Sequence, residues 1–144
     1  GDGPARQNMV RIVREWGFAE KIIFIKQLPY NEMLGLYQGA RCLILCSIPK
    51  TDWQEQFGYV LAEAICAGVP VVATYCGAIP QVVGKAGLLV SPAHPIDLSN
   101  ALLKIDDQTI YLQLKAGCEQ EKNKFAVTEY TRQVAEVYRN LVRI

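Results

Sequence analysis

Residues 57–74, "FGYVLAEAICAGVPVVAT", decide the fold because they place an apolar helix directly before an apolar strand. The helical part is apolar on every side except at Glu63, which is typical of a helix that packs against several neighbours. The unbroken apolar run "VPVVAT" is typical of a parallel strand that is covered on both faces. We therefore predict a buried helix followed by a buried parallel strand.

The residues before this stretch predict two helices and two strands. The run "PARQNMVRIVREWGF" carries its apolar side chains on one helical face and ends near Gly17, which favours an amphipathic helix. The runs "KIIFIKQL" and "RCLILCS" each predict a short apolar strand, the first of them buried. A helix is expected between them, from about Tyr30 to Gln38, and the polar residues 48–56 predict a loop.

The residues after it predict a short turn or helix around residues 78–83, a fourth strand in "AGLLVS" and a helix in "PIDLSNALLKI". The C-terminal residues predict an amphipathic helix packed on a neighbouring surface. The apolar face of that helix carries Tyr130, Val134, Val137, Tyr138 and Leu141. Because helices and strands alternate, we predict an α/β fold, a Rossmann-like and largely parallel sheet with flanking helices.

Length and composition limit the classes of function. A chain of 144 residues fits one domain, and its 15 lysines and arginines nearly balance its 14 aspartates and glutamates. No basic run or basic-aromatic stripe is present, so nucleic-acid binding is not favoured. No apolar stretch reaches the roughly 20 residues that span a bilayer. We predict a cytoplasmic chain, which could act at the cytoplasmic face of a membrane.

Cysteine and histidine usage does not favour a metal site. The five cysteines form no CxxC pair and lie mostly in apolar or tight-loop surroundings, which predicts reduced thiols that pack as small hydrophobes. The one histidine, His94, lies between two prolines and is expected to be a solvated loop residue. We therefore expect neither zinc nor redox chemistry, and no metal ligands.

Ligands of doubly wound sheets bind beyond the carboxyl ends of the strands. The loops to examine therefore follow Ile25, Leu45 and Thr74. The second loop leads into the N-terminus of the apolar helix, where free N–H groups and the helix dipole attract anions such as phosphate, and Gly58 allows a close approach. The third loop is expected to expose backbone donors at Gly77 and Ala78.

Glu63 is a carboxylate in an otherwise apolar helix. A buried and unpaired carboxylate costs several kcal/mol, so Glu63 should have a basic partner, hydrogen-bond donors, or a ligand whose hydroxyl groups donate to it. If Glu63 stood alone, emergence at a solvated edge or pairing with a lysine would be slightly favoured.

Glu63 does not stand alone, because Glu55 lies eight positions earlier and completes the pattern E-x7-E. Together with "FGYVLAEA", "AGVPVVAT", "GAIPQVV" and "AGLLV" in this order, the pattern resembles the C-terminal donor-binding domain of retaining GT-B glycosyltransferases of family 4, the group 1 glycosyltransferases. The resemblance covers essentially the whole chain. It implies that residues 1–144 are part of the C-terminal, nucleotide-sugar-binding half of a GT-B fold.

The resemblance also implies roles for single residues. Glu63 matches the glutamate that accepts hydrogen bonds from the ribose hydroxyl groups of a nucleotide sugar, and Glu55 matches the glutamate beside the donor sugar, taken here as the catalytic position. The remaining donor-binding positions are matched by the backbone amides of Gln56, Phe57 and Gly58 at the sugar and phosphates, the backbone of Gln27 and Leu28 at the base, and Ser47 of the family's "PS" pair.

The chain departs from the family pattern in three places. Cys46 and Gln81 replace the proline of "PS" and the glutamate usual after "GxP". The basic Arg and Lys pair that offsets the diphosphate charge would lie upstream of Gly1, as would the acceptor domain. We therefore expect a fragment with an incomplete sheet, which either pairs "IIFI" with "LILC" or self-associates through exposed sheet edges.

The resemblance implies that the intact protein transfers a sugar from a nucleoside-diphosphate sugar to an acceptor with retention of configuration. No cofactor or metal is implied, because GT-B enzymes stabilise the diphosphate with basic side chains and helix dipoles. The fragment alone is expected to be inactive. Two alternatives stay open at this stage: a GT-B sugar-nucleotide epimerase or phosphorylase-like enzyme, and a non-catalytic α/β module that binds nucleotide sugars.

Overall fold

The computed structural model describes residues 1–142. It divides the chain into two compact units, residues 1–33 and the residues from 34 onward. The helices are α1 (Arg6–Glu15), α2 (Tyr30–Gln38), α3 (Tyr59–Cys66), α4 (Ile79–Val83), α5 (Pro95–Asp106), α6 (Gln108–Glu121) and α7 (Val127–Val142), and the strands are β1 (Leu43–Leu45), β2 (Val71–Thr74) and β3 (Gly87–Val90).

The three strands form one parallel sheet in the order β1-β2-β3. Val72 of the central strand lies opposite Ile44 of β1 and Leu88 of β3. All four residues of β2 are buried, as expected for a strand with a neighbour on each side and layers on both faces. The sheet and its helices confirm the predicted α/β class.

The core of the second unit surrounds β2. On α3, four apolar side chains are buried, and the only polar residue inside the helix is Glu63. A separate cluster joins Val72 to Val90 of β3 and to α5 and α6 through Ala101, Ile105 and Leu114. Both helices begin at capping side chains that the sequence analysis did not identify: His94 Nδ1 accepts from the Asp97 amide at 3.2 Å, and the Asp107 carboxylate accepts from the Thr109 amide at 2.8 Å.

The first unit contains α1 and the apolar residues 22–25. Helix α1 ends as predicted: the Gly17 amide donates to Arg14 O and the Phe18 amide donates to Val13 O, a Schellman arrangement. The strand predicted in "KIIFIKQL" is wrong, since residues 22–29 form neither strand nor helix and the Ile23 side chain is 86% exposed. An apolar run becomes a strand only when a neighbouring strand pairs with its backbone, and among residues 1–142 the strand paired with β1 is β2. The expected pairing of "IIFI" with "LILC" is therefore not formed.

Helix α7 forms where it was predicted, but none of its described residues is buried. Val127, Tyr130, Val137 and Leu141 are each at least 59% exposed, so the expected packing of this helix on a neighbouring surface is absent from the described residues. Among residues 1–142, no helix has both the length and the apolar character that crossing a membrane requires.

Candidate functional site

The loops that follow β1 and β2 meet at the carboxyl edge of the sheet. Two hydrogen bonds join them: the buried Thr74 hydroxyl at the end of β2 donates to Ser47 O at 2.6 Å, and the Ala78 amide donates to Glu55 O at 3.0 Å. The loop that carries Glu55 is therefore fastened at both ends to the turn that follows the central strand.

Gly77 makes this junction possible. Its φ is +54°, in the left-handed region, and a Cβ atom at this position would lie only 2.0 Å from Glu55 O. The turn therefore requires glycine both for its backbone conformation and for the approach of the Glu55 carbonyl. The expectation that Ala78 exposes a backbone donor to a ligand is wrong, because its N–H is already bound to Glu55.

The Glu55 side chain caps the N-terminus of α3. Its Oε1 accepts from the Gly58 amide at 3.1 Å, and its Oε2 accepts from the Ser47 hydroxyl at 3.4 Å. Gly58 is the buried N-cap residue, and because glycine has no side chain it cannot cap the helix itself. A carboxylate at a helix N-terminus is stabilised by the unpaired N–H groups and the positive end of the helix dipole. Glu55 thus occupies the position at which the sequence predicts an anion.

Glu63 lies farther along the same helix and is half-buried. Its Oε2 accepts a hydrogen bond from the Tyr37 hydroxyl at 2.7 Å, and Tyr37 of α2 is 5% exposed. Of the partners considered from the sequence, the structure therefore shows a hydrogen-bond donor rather than a lysine. Tyr37 carries no signal in the sequence that marks it as this partner, beyond its place in a helix that precedes β1.

Phe57, at the end of the loop, has ring neighbours. Phe57 lies with its ring centroid 5.0 Å from Tyr59 and 6.1 Å from Phe125, while the Gln56 side chain between Glu55 and Phe57 is exposed. Phe125 lies more than sixty positions downstream, so no local pattern could connect it with this loop.

The predicted site residues fall into two groups. Ser47, Glu55, Gln56, Phe57, Gly58 and Glu63 all lie on the loop after β1 or on the helix that it enters. Gln27 and Leu28 belong to the first unit, in the irregular residues 22–29, where Gln27 is exposed and Leu28 half-buried.

A cavity of about 210 Å³ opens at the same edge of the sheet. Residues of all three strand ends line it, among them Cys46, Thr74, Val90 and His94. Partial desolvation raises the pKa of the Cys46 thiol, although the residue is exposed, so it is less acidic than an ordinary cysteine. Neither Glu55 nor Glu63 lines this cavity.

All five cysteines lie within the described residues and are free thiols, as predicted, but Cys46 and Cys66 are exposed and do not pack as small hydrophobes. Cys76 and Cys118 are buried, and burial raises the pKa of Cys118 to about 11. Two basic side chains have structural contacts of their own: Arg41 stacks 3.7 Å from the Tyr111 ring, and Lys26 pairs with Asp2 at 3.6 Å.

Comparison with known families adds to this geometry. The family model described as "Glycosyl transferases group 1" matches residues 1–108, which is most of the chain. The chain belongs to the group 1 glycosyltransferase family.

Curated relatives of this group 1 chain carry glycosyltransferase names. A D-inositol 3-phosphate glycosyltransferase of Corynebacterium urealyticum is 33% identical over 90% of this chain and 30% of its own length. A 2-deoxystreptamine glucosyltransferase of Streptomyces kanamyceticus is 30% identical over 88% of this chain and 33% of its own length. The chain therefore spans about a third of the length of these relatives.

Solved structures of glycosyltransferases share the fold. The sucrose-phosphate synthase of Thermosynechococcus elongatus superposes with a TM-score of 0.78 at 27% identity, covering 99% of this chain and 36% of that one. The C-terminal domain of a group 1 glycosyl transferase from Francisella tularensis superposes with a TM-score of 0.68 at 24% identity, covering 87% and 62%. The second likeness concerns the fold alone. The predicted fold, a Rossmann-like part of a GT-B glycosyltransferase, is confirmed.

Proposed function

We propose that this chain is the donor-binding part of a retaining glycosyltransferase, which transfers a sugar from a nucleoside-diphosphate sugar to an acceptor. The observation that carries the proposal is the position of two glutamates on one wall: Glu55 at the N-terminus of α3 and Glu63 farther along the helix, each with a carboxylate that accepts hydrogen bonds. Membership of the group 1 family supports the assignment of this wall to glycosyl transfer.

In the proposed complex, Glu63 accepts hydrogen bonds from the ribose hydroxyl groups. Its Oε2 already accepts from Tyr37, which fixes the direction of the carboxylate before a ligand arrives. A preorganised carboxylate loses less side-chain entropy when it binds a diol. Tyr37 therefore acts on the donor through Glu63.

Glu55 and the helix N-terminus hold the sugar and the diphosphate. The Gly58 amide, which is expected to meet the donor, donates to Glu55 in this structure. Donor binding therefore exchanges one anion for another at the same N–H group: the carboxylate moves toward the sugar and phosphate oxygens take its place. Ser47, at 3.4 Å from Oε2, is placed to follow the carboxylate.

Helix dipole and basic side chains stabilise the departing diphosphate in this proposal, and no metal or other cofactor takes part. Three further points stay predictions from the sequence. These are the contact of Gln27 and Leu28 with the base, self-association through the sheet edges, and the cytoplasmic location.

Calorimetric titration of the full-length protein with UDP, GDP and ADP sugars tests the donor site. At least one nucleotide sugar is expected to bind, and Glu63→Ala is expected to lose roughly 1 to 3 kcal/mol of binding free energy, the usual cost for hydrogen bonds to a charged group. Glu63→Gln keeps an acceptor for Tyr37 and should lose less. Glu119→Ala, on an exposed residue of α6, is the matched control and should bind as the wild type does.

Two results would count against the proposal. If no nucleotide sugar binds the wild type, the donor site is wrong; if Glu63→Ala binds as tightly as the wild type, the pair serves structure alone, as in a non-catalytic module. The anomeric configuration of the product, read by NMR, tests retention separately. An inverted product, or epimerisation of the donor without an acceptor, would replace the proposed reaction.

A further inference from the structure

The turn between α6 and α7, Lys122–Phe125, contacts the loop that carries Glu55. The Phe125 ring meets the Phe57 ring edge-on, with centroids 6.1 Å apart and planes at 88°. This distance and angle lie in the favourable range for aromatic pairs, in which the positive edge of one ring meets the negative face of another. The turn lies beyond residues 1–108, which the family model matches.

Phe57 is held from two sides. Tyr59, in the first turn of α3, lies 5.0 Å from it at an angle of 51°, and Phe125 approaches from the other segment. Phe57 stands between Glu55 and the Gly58 amide, whose hydrogen bond at 3.1 Å closes the loop. A rotation of the Phe57 backbone would therefore break this contact.

The turn is anchored behind Phe125. Glu121 at the end of α6 is 7% exposed, accepts from the Lys85 amide at 3.0 Å and pairs with the Lys124 ammonium group. Burial raises the pKa of Glu121, but the hydrogen bonds and charges of Lys124 and Lys85 outweigh it, so its pKa lies below the usual value. Lys124 also reaches Gln81 O at 3.5 Å. These contacts fix the turn to α4 and to the residues before β3.

We propose that Phe125 is a positioning residue, which holds Phe57 so that the backbone of residues 55–58 keeps its course when the donor arrives. From that backbone the Glu55 carboxylate can turn to the sugar while the Gly58 amide stays directed at the phosphate. The proposal rests on the proposed function for its consequence in binding. Its structural content, that the loop is ordered by a distant turn, is independent of any donor. Removing the Phe125 ring should loosen residues 55–58 while leaving the sheet intact.

Amide hydrogen exchange of the donor-free, full-length protein tests that content directly. In Phe125→Ala, a peptide covering residues 54–61 should exchange about two to ten times faster than in the wild type, the factor that corresponds to losing one aromatic pair. Residues 71–74 of the central strand should keep their exchange rates. Unchanged exchange in residues 54–61 would overturn the proposal. It would also be overturned if exchange in residues 71–74 accelerated by the same factor, since Phe125 would then stabilise the whole unit rather than this loop.

Donor titration then tests the consequence. Phe125→Ala should weaken binding about two- to tenfold, with the donor KM raised and the acceptor KM unchanged, and Phe125→Tyr, which keeps the ring, should restore both. In a Glu55→Ala background the effect of Phe125→Ala should shrink, because the loop no longer presents its carboxylate. Leu112→Ala, an exposed apolar residue of α6, is the matched control.

The possible failures can be told apart. If the wild type binds a nucleotide sugar and Phe125→Ala binds it equally well, this inference is wrong while the proposed function stands. If the wild type binds none, the proposed function fails, and faster exchange of residues 54–61 would still support the positioning role of Phe125. If Phe125→Ala does not fold, Phe125→Leu, which keeps an apolar side chain but no ring, carries the same two measurements.

Discussion

Two apolar runs of four residues have different fates in this molecule. "VVAT" at residues 71–74 is the fully buried central strand of the second unit, whereas "IIFI" at residues 22–25 in the first unit forms no strand and exposes Ile23 by 86%. Both consist mainly of residues with high strand propensity. What differs is the neighbourhood: β2 has a hydrogen-bonded strand on each side, and residues 22–25 have none. A segment with high strand propensity fits well into a sheet, but it forms a strand only where another strand is available to pair with it.

The largest effect is expected at Val72, in the middle of the central strand. Val72→Asp would bury an unpaired carboxylate at a position that is 0% exposed and should cost about 4 kcal/mol or more. This is a large share of the stability of an ordinary domain, so the second unit should unfold. Urea denaturation followed by circular dichroism measures it. A fully folded Val72→Asp chain would show that β2 is less enclosed than the structure indicates.

The second effect compares the two ends of β2. Gly77 and Gly68 both have a left-handed φ, +54° and +73°, but a Cβ at Gly77 would meet Glu55 O at 2.0 Å and one at Gly68 would meet nothing within 4 Å. Gly68→Ala should therefore cost about 1 to 2 kcal/mol, the conformational term alone. Gly77→Ala should cost at least about 1 kcal/mol more, because the loop must also move.

Denaturation of both variants gives the difference. Equal free energies of unfolding for Gly77→Ala and Gly68→Ala would mean that the loop shifts without cost. The loop after β1 would then not be fastened to the turn as described.

A third test compares a buried with an exposed carboxylate. Glu121 in the second unit has two lysine partners, and Glu121→Gln should cost roughly 1 to 3 kcal/mol at neutral pH. Because the pKa of Glu121 in the folded chain is below its usual 4.5, its charge stabilises the fold at pH values above 4.5. That contribution disappears as the pH falls through the folded-state pKa, so the difference between wild type and Glu121→Gln should shrink in acid.

The control for this test lies in the first unit, where Glu15 pairs with Arg11 on the exposed surface of α1. Glu15→Gln should change the free energy of unfolding by less than about 1 kcal/mol. Urea denaturation between pH 3 and 7 covers both variants. A cost for Glu121→Gln that stays constant with pH would contradict a stabilising charge at this position.

The smallest effect is expected at Ile23. Since its side chain is largely exposed, Ile23→Asp should change the free energy of unfolding of the 144-residue chain by no more than about 0.5 kcal/mol. An introduced aspartate should therefore destabilise the fold strongly in β2 and hardly at all at Ile23, so the two variants are compared directly. A cost of several kcal/mol at Ile23 would break the comparison and would indicate that residues 22–25 are paired in solution.

The sequence predicts those elements whose signal is local. Helices α1, α2, α3 and α4 and all three strands lie where periodicity, apolar runs and Gly17 place them. The error at residues 22–25 arises because pairing depends on a neighbour, which no local pattern reports. Packing of α7 on a surface could not be derived either, since an amphipathic pattern shows that a face is apolar and says nothing of what covers it.

The candidate site divides in the same way. Glu55 and Glu63 are found from spacing within one segment, and the structure places them at the start and in the middle of one helical wall. The distant contacts of this wall could not be found from spacing: Tyr37, the partner of Glu63, precedes it by 26 positions, and Phe125, which contacts the Phe57 ring, lies in a turn far along the chain. Contacts between segments distant in sequence are fixed by the tertiary fold and leave no spacing to detect.

The loop after β1 also contains a tight turn, in which the Lys50 amide donates to Trp53 O at 2.8 Å and the Trp53 amide donates to Lys50 O at 3.3 Å. The chain has two tryptophans, and the other, Trp16, lies in the first unit and is 71% exposed. Indole emission from Trp53 therefore comes from the loop that holds Glu55, and Trp16→Phe removes the second emitter. The protein carries an optical reporter for its own candidate site, which needs no dye.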